Sequence, residues 1–187
     1  MNVITLSGSA GSGKDTYAKY MHEILQSAGY RVIIVHEADM LKHICKDHFN
    51  WDGQKDLYGR YLLQHVGTDL FRKHFPAFWA DLTAKILFVY SIEDLYDVAI
   101  VPDVRYENEL GRLQFYDFNK IDSVRVMGSD KAGDRMLSDE EKEHSSENEW
   151  KEIDFEYNIC GDNPLLGSVL CLAALGYPVG RYKDLLK

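Results

Sequence analysis

The chain has 187 residues, 45% of them apolar and 27% charged, which is ordinary globular usage, enough for one buried core and too apolar for a disordered chain. Thirty acidic against 21 basic residues leave a formal net charge of −9. That balance excludes the broad Lys/Arg footprint of a nucleic-acid-polymer binder, yet allows small phosphorylated ligands held by a few local cations.

Residues 2–7 (Asn-Val-Ile-Thr-Leu-Ser) read as a short buried strand, followed at once by Gly8-Ser9-Ala10-Gly11-Ser12-Gly13. A helical pattern runs from Lys14 to about Ala28, with Tyr17, Tyr20, Met21, Ile24 and Leu25 on one face. Gly29 stands where a helix end favours a left-handed residue, and Arg31–His36 is a second apolar strand. Strand, glycine loop, helix and strand make a βαβ unit, and such continuous apolar strands fit a parallel sheet covered on both faces.

From Ala38 to about Tyr90 no strand pattern occurs; helical segments are expected near 38–48, 59–71 and 77–90, with a loop at 50–54. Strand three is Asp97–Pro102, ending in Asp103-Val104-Arg105, followed by an expected helix over Glu107–Phe118 and a fourth strand over Ser123–Met127. Residues 128–149 are densely charged and read as a surface segment. A last strand near Phe155–Cys160 leads through Gly161-Asp162-Asn163-Pro164 into an apolar helix over 165–175. With no repeat and no long linker, the expectation is one α/β domain over residues 1–187.

Cys45, Cys160 and Cys171 cannot all pair and lack metal-finger spacing, as suits a reducing compartment. No run approaches the ~18 apolar residues of a membrane span, and no basic stretch leads into an apolar one. The expectation is a cytoplasmic protein (host cytoplasm, were the chain viral) with no membrane partner. Composition leaves the oligomeric state open, a homodimer included.

Gly8-x4-Gly13-Lys14 has the spacing of a P-loop, or Walker A motif. Glycines let backbone N–H groups turn inward around phosphate oxygens, the helix start adds partial positive charge, and the lysine ammonium serves the outer phosphates. The usual Ser or Thr after the lysine, whose hydroxyl ligates Mg²⁺, is here Asp15, with Thr16 one place later. Either the hydroxyl arrives one residue late or the Asp15 carboxylate serves the metal, a role that suits a hard cation. Asp103 follows an apolar strand, where open α/β sheets place their ligands, and is a further Mg²⁺ candidate. Arg105 sits at the same mouth with a planar fork suited to phosphate.

Seven histidines invite a metal reading, but no His-x-x-x-His with a third ligand occurs. His144 with Ser145, Ser146 and Glu147 superficially suggests a hydrolytic triad, which no Gly-x-Ser-x-Gly elbow supports.

Gly11-Ser12-Gly13-Lys14-Asp15-Thr16, Ala38-Asp39-Met40-Leu41-Lys42, and Leu63-Gln64-His65-Val66-Gly67-Thr68-Asp69 with Arg72 and Trp79 together resemble bacteriophage-type deoxynucleoside monophosphate kinases. So do Asp103-Val104-Arg105-Tyr106-Glu107-Asn108-Glu109 and His144-Ser145-Ser146-Glu147; the series covers roughly residues 3–165. The Lys-Asp-Thr departure is itself a feature of that family.

This resemblance implies an α/β P-loop nucleotide kinase: a five-stranded parallel sheet flanked by helices, a helical substrate-binding insert over 38–90, and a lid over 128–149. The core would be 1–37, 91–127 and 150–187. It implies ATP + dNMP → ADP + dNDP with Mg²⁺, a phosphate group being the acceptor. On the acceptor side it suggests Asp39, Lys42, Arg60, Gln64, Thr68, Asp69, Arg72, Trp79 and Arg105, although a buried tryptophan is more often core than stacking platform. ATP would meet Ser9, Ala10, Gly11, Ser12, Gly13, Lys14, Asp15 and Thr16, with Gly161 bordering the adenine. The metal shell would draw on Asp15, Thr16 or Asp103. Lys14, Arg105 and Arg135, the last closing from the lid, would carry the transfer. The rival readings are another small-molecule P-loop kinase, of phosphomevalonate or dephospho-coenzyme A type, and a non-catalytic nucleotide-binding switch.

Overall fold

The computed structural model describes residues 1–9, 11–105, 107–127, 155–160 and 163–186. Five strands, β1 (Asn2–Ser7), β2 (Val32–Ile34), β3 (Val98–Pro102), β4 (Lys120–Val126) and β5 (Tyr157–Ile159), form one sheet in the order β2-β3-β1-β4-β5. Every pairing is parallel. The central strand is the N-terminal one, so the loop leaving β1 emerges between the carboxyl ends of β3 and β4. That is where an open α/β sheet presents ligands.

Alternation along the strands sorts the two cores. Ile4, Leu6, Ile100, Val124 and Val126 face α1 (Lys14–Ser27) and α6 (Pro164–Ala174), meeting Met21, Ile24, Leu25, Val169 and Leu172. Val3, Ala99 and Val101 face the other way, toward Ala84 and Leu87 of α4 (Phe78–Ile92) and Leu113 of α5 (Glu107–Gln114). Between β2 and α4 lie α2 (Ala38–His48), α3 (Leu57–Gln64) and a π-helical stretch, His65–Arg72. Cys45, Trp51, Leu62 and Val66 form a separate small core there. Among the described residues no helix is long and apolar enough to cross a membrane.

The five strands fall where the hydrophobic runs place them, with shifted ends. β4 begins at exposed Lys120, three residues before the expected start, because a polar residue inside it is buried: Asp122 has no exposure and accepts from Tyr177 Oη at 2.7 Å. The helix expected to reach Phe118 ends at Gln114; Phe118 and Tyr116 instead turn into the core below the sheet. The segment expected over 59–71 is α-helical only to Gln64 and continues as π-helix. A 3₁₀ helix, Gly180–Leu186, follows α6 without any periodic apolar signal of its own.

Candidate functional site

The turn after β1 is built for close backbone approach. A Cβ on Gly8 would stand 2.3 Å from the Val126 carbonyl oxygen, so only glycine lets β1 leave the sheet at that point. Gly13 caps α1 at φ 90°, a left-handed conformation that glycine adopts without steric cost. Lys14 is 8% exposed; its Nζ donates to the carbonyls of Gly8 at 2.8 Å and Ser9 at 2.9 Å and lies 3.6 Å from Asp103 Oδ1. Ser12 Oγ is buried and has no hydrogen-bond partner among the described residues. A buried hydroxyl of that kind in a glycine loop is a donor suited to a ligand oxygen.

Asp103 terminates β3 with φ 78°, and its backbone N–H and that of Val104 both donate to Leu6 O, at 2.9 and 3.1 Å. The carboxylate is thereby turned to the mouth of the β1 loop. Arg105 grips it with Nε to Oδ1 at 2.9 Å and Nη2 to Oδ2 at 3.2 Å. The Arg105 backbone N–H donates to Glu109 Oε2 at 2.7 Å, and Glu109 Oε1 accepts from Arg72 Nη2 at 3.1 Å. Glu109, in the first turn of α5, is 2% exposed. Glu37, just beyond β2, lies against it, and burial, then the Glu109 carboxylate, push the Glu37 carboxyl well above the usual carboxylate range.

Two cavities meet here. One, of about 470 Å³, is lined by Gly11, Gly13, Lys14, Asp15 and Thr16 together with His36 and Lys42. The other, of about 260 Å³, is lined by Leu41, Leu63, Gly67, Thr68, Arg72, Trp79 and Glu109. Glu37, Ala38, Asp103 and Arg105 belong to both walls. Trp79 is buried and donates from Nε1 to Gly67 O at 3.0 Å, so it both packs and forms part of the second wall. Close packing fixes that wall, since a Cβ on Gly67 would come within 2.7 Å of Leu41 Cδ2.

Of the residues singled out in the sequence, Gly11, Gly13, Lys14, Asp15, Thr16, Lys42 and Asp103 thus share the first cavity, and Thr68, Arg72, Trp79 and Asp103 the second, with Arg105 in both. Asp39 lies beside them, accepting from Lys42 Nζ at 2.7 Å and from the His36 N–H at 3.1 Å. Partial burial opposes its ionisation, but the Lys42 ammonium and the His36 N–H hold the carboxyl below the usual range. Like Asp39 and the loop residues Ser9 and Ser12, three others stand outside both walls. Gln64 is exposed, exposed Arg60 donates from Nε to Lys55 O at 3.1 Å, and exposed Asp69 pairs with His65 at 3.0 Å. Ala10, Gly161, Arg135 and the segment over 128–149 lie outside the described residues.

His36, Glu37 and Lys55 line the first cavity without having been singled out in the sequence, and Glu109 stood there only as the end of a motif, with no role. Glu37 and His36 occupy the carboxyl end of β2, the position that singled out Asp103 after β3. His36 Nε2 lies 3.2 Å from Asp15 Oδ1 and its Nδ1 3.4 Å from Asp39 Oδ2, joining the first turn of α1 to that of α2.

No family model matches the chain, and no curated protein sequence matches it. Among solved structures it is similar to shikimate kinase from Acinetobacter baumannii in complex with shikimate, with a TM-score of 0.52 and 11% identity over 93% of this chain and 92% of that one. The fold is that of a P-loop kinase. At so low an identity the likeness is one of backbone, and the roles of individual side chains rest on the geometry above.

Proposed function

We propose that this chain is an ATP-dependent deoxynucleoside monophosphate kinase, which moves the γ-phosphoryl group of ATP to a dNMP and releases ADP and dNDP. One observation carries the reading: the phosphate-loop cavity opens, through Asp103 and Arg105, onto a second cavity that also holds Arg72. A nucleotide switch needs one phosphate site, whereas a kinase with an anionic acceptor needs two that share a wall. The kinase fold supports phosphoryl transfer, and the motif series from the P-loop to Glu109 is what points to a nucleotide acceptor.

Phosphoryl transfer asks the protein mainly for positioning and charge stabilisation. In this reading the loop amides from Ser9 to Lys14 and the Lys14 ammonium take the β- and γ-phosphates, and Ser12 Oγ adds a hydrogen bond. Arg105 and Arg72 hold the acceptor phosphate in line, exchanging their carboxylate partners for it. An acceptor phosphate oxygen is already ionised near neutral pH, so no general base is required. Apolar Leu41, Leu63 and Trp79 line the remainder of the acceptor cavity and exclude water, the competing acceptor. Arg135 closing from 128–149 and Gly161 at the adenine belong to the same proposal.

Mg²⁺ would accompany ATP. The donors fit a hard cation, since the Thr16 hydroxyl and the Asp15 and Asp103 carboxylates all line the phosphate-loop cavity. Among the described residues no cluster of three or more His, Cys, Asp or Glu makes an all-protein cage. Mg²⁺ is ordinarily held by one or two carboxylates with phosphate and water. Bound there, it would neutralise the phosphate oxygens during transfer.

The deciding experiment follows ADP production from ATP with a panel of dNMPs, NMPs, shikimate, phosphomevalonate and dephospho-coenzyme A. Turnover that depends on a deoxynucleotide is the expected result. Selective turnover with another acceptor, or ADP release independent of any acceptor, overturns the assignment.

A further inference from the structure

The segment between α2 and α3 contributes one residue to the wall of the phosphate-loop cavity, Lys55. The backbone is held on both sides of it. Buried Trp51 donates from Nε1 to Gln54 O at 2.9 Å, and the Gln54 N–H donates to Asp52 Oδ1 at 2.8 Å. Asp56 caps α3, its Oδ1 accepting from the Gly59 N–H at 2.7 Å. The Lys55 carbonyl itself accepts from Arg60 Nε at 3.1 Å. Trp51 belongs to the small core of the α2–α3 region, so that core fixes the backbone at Lys55, while its side chain stays exposed at the cavity.

The other three cations lining this cavity are engaged. Lys14 donates to Gly8 O and Ser9 O and lies 3.6 Å from Asp103, Arg105 grips the same Asp103, and Lys42 donates to Asp39 at 2.7 Å. Of the remaining acidic groups, Asp15 meets His36 at 3.2 Å, and Glu37 interacts with Glu109 and Arg72 at the shared wall. The Lys55 ammonium has no hydrogen bond or ion pair among the described residues. An incoming phosphate must draw the other cations away from protein partners, but draws Lys55, on its flexible four-carbon stem, from water alone. Lys55 is absent from the wall of the second cavity, so its charge serves the ATP side. The same α2–α3 region supplies Leu41 and Leu63 to that second cavity. A cation arriving from there meets the phosphate chain at its outer, γ end.

We propose that Lys55 is a catalytic residue whose ammonium meets the γ-phosphoryl group of ATP and stays with it during transfer. In that step the bond from γ-phosphorus to the β,γ-bridging oxygen breaks, its electron pair remaining on ADP, while a bond to an acceptor oxygen forms. The three outer oxygens of the moving group carry the spread charge throughout. Lys55 donates hydrogen bonds to them and keeps its own protons. This rests on the phosphate-loop half of the function proposed above, and not on the nature of the acceptor.

Calorimetry on the full chain in excess Mg²⁺ compares adenylyl imidodiphosphate, which carries a γ-phosphoryl group, with ADP, which does not. Lys55→Met should bind the first at least about fivefold more weakly than wild type, the loss of one hydrogen bond from a charged donor. Its affinity for ADP should stay within about twofold of wild type, since ADP lacks the group that Lys55 is assigned to meet. Lys55→Arg keeps the charge and should recover most of the lost affinity. Acceptor-dependent kcat should fall in Lys55→Met while Tm stays level, because the side chain holds no other part of the protein in place. An equal loss for both nucleotides overturns the proposal, since it marks a general electrostatic or structural effect. Unchanged affinity for both overturns it as well and leaves Lys55 a solvated lysine. Wild type that binds neither nucleotide removes the phosphate-loop reading and the proposal together, whereas wild type that binds both beside an unaffected Lys55→Met removes the proposal alone. A selective loss for the imidodiphosphate in a chain that turns over no dNMP supports Lys55 and contradicts only the nucleotide acceptor.

Discussion

Lys14 and Asp103 face one another at 3.6 Å across the mouth of the β1 loop, although 89 residues separate them in the chain. Their meeting is a property of the sheet. β1 and β3 are adjacent and parallel, with Leu6 paired to Pro102, so the next residues of both strands leave the sheet side by side. Asp103 reaches its place with φ 78°, a conformation that costs a non-glycine residue on the order of 1–3 kcal/mol and that collects at functional sites. The two amide bonds to Leu6 O hold it there.

The first prediction concerns the cation of that pair. Lys14→Met keeps the aliphatic stem and removes the ammonium from the phosphate-loop cavity. Acceptor-dependent turnover should fall at least about a hundredfold, the loss typical of one charge-stabilising group, while the circular dichroism spectrum stays unchanged. Near-normal kcat/KM in a folded variant would remove Lys14 from the reaction.

Asp15 stands where a P-loop usually carries a hydroxyl. Asp15→Ala should weaken turnover more at limiting than at excess Mg²⁺, because added metal compensates for a lost ligand. Titrating Mg²⁺ at fixed ATP provides the comparison. An equal loss at every concentration would favour the alternative that Asp15 serves the α1 N-terminus and its contact with His36, 3.2 Å away.

The contrast between Asp15 and Glu109 shows what a sequence makes legible. The strands, the glycine loop and Asp103 are local patterns: apolar runs, a spacing, a polar residue at the end of a strand. The pairing of Glu109 with Arg72 is a relation across 37 residues that exists only once the π-helical stretch and α5 are docked on the same end of the sheet. The π-helical stretch was likewise invisible, because apolar periodicity over eight residues cannot separate a wide helix from an ordinary one. Gln64 and Asp69 share a motif with Thr68 and Arg72, yet helical geometry turns the first two to solvent, as it does Arg60 one turn earlier, and the last two to the cavity. Resemblance identifies the segment; only packing selects its inward face.

The small core of the α2–α3 region can be tested separately from the nucleotide site. A Cβ on Gly59 would lie 2.0 Å from Gln54 O and 2.6 Å from Trp51 Nε1, two atoms that are themselves joined by a 2.9 Å hydrogen bond. Gly59→Ala must break that bond or displace α3, a strain of about 1–3 kcal/mol, which lowers Tm by roughly 2–12 °C in a chain of this size. Differential scanning calorimetry measures the loss. An unchanged Tm would mean that the Trp51 contact does not support this core.

The last prediction separates the two arginines of the proposed acceptor side. Arg105 lines both cavities, and Arg72 only the second. A guanidinium that clamps a ground-state phosphate contributes mainly to KM, whereas one that acts only as charge redistributes contributes to kcat. Arg105→Ala should therefore raise the KM for dNMP several-fold, with a smaller rise in the KM for ATP through the wall it shares with the phosphate loop. Arg72 requires a gentler change, because Glu109 is 2% exposed and deletion of its guanidinium partner would leave a buried charge uncompensated. Arg72→Lys retains that charge but loses the planar fork, so the KM for dNMP should rise while the KM for ATP stays within error. Arg135→Ala, in the proposed lid, should chiefly lower kcat. Steady-state kinetics with each substrate titrated at saturating levels of the other resolves all three variants. A defect confined to kcat in Arg105→Ala, or an equal rise of both KM values in Arg72→Lys, would place the acceptor phosphate somewhere other than between these two side chains.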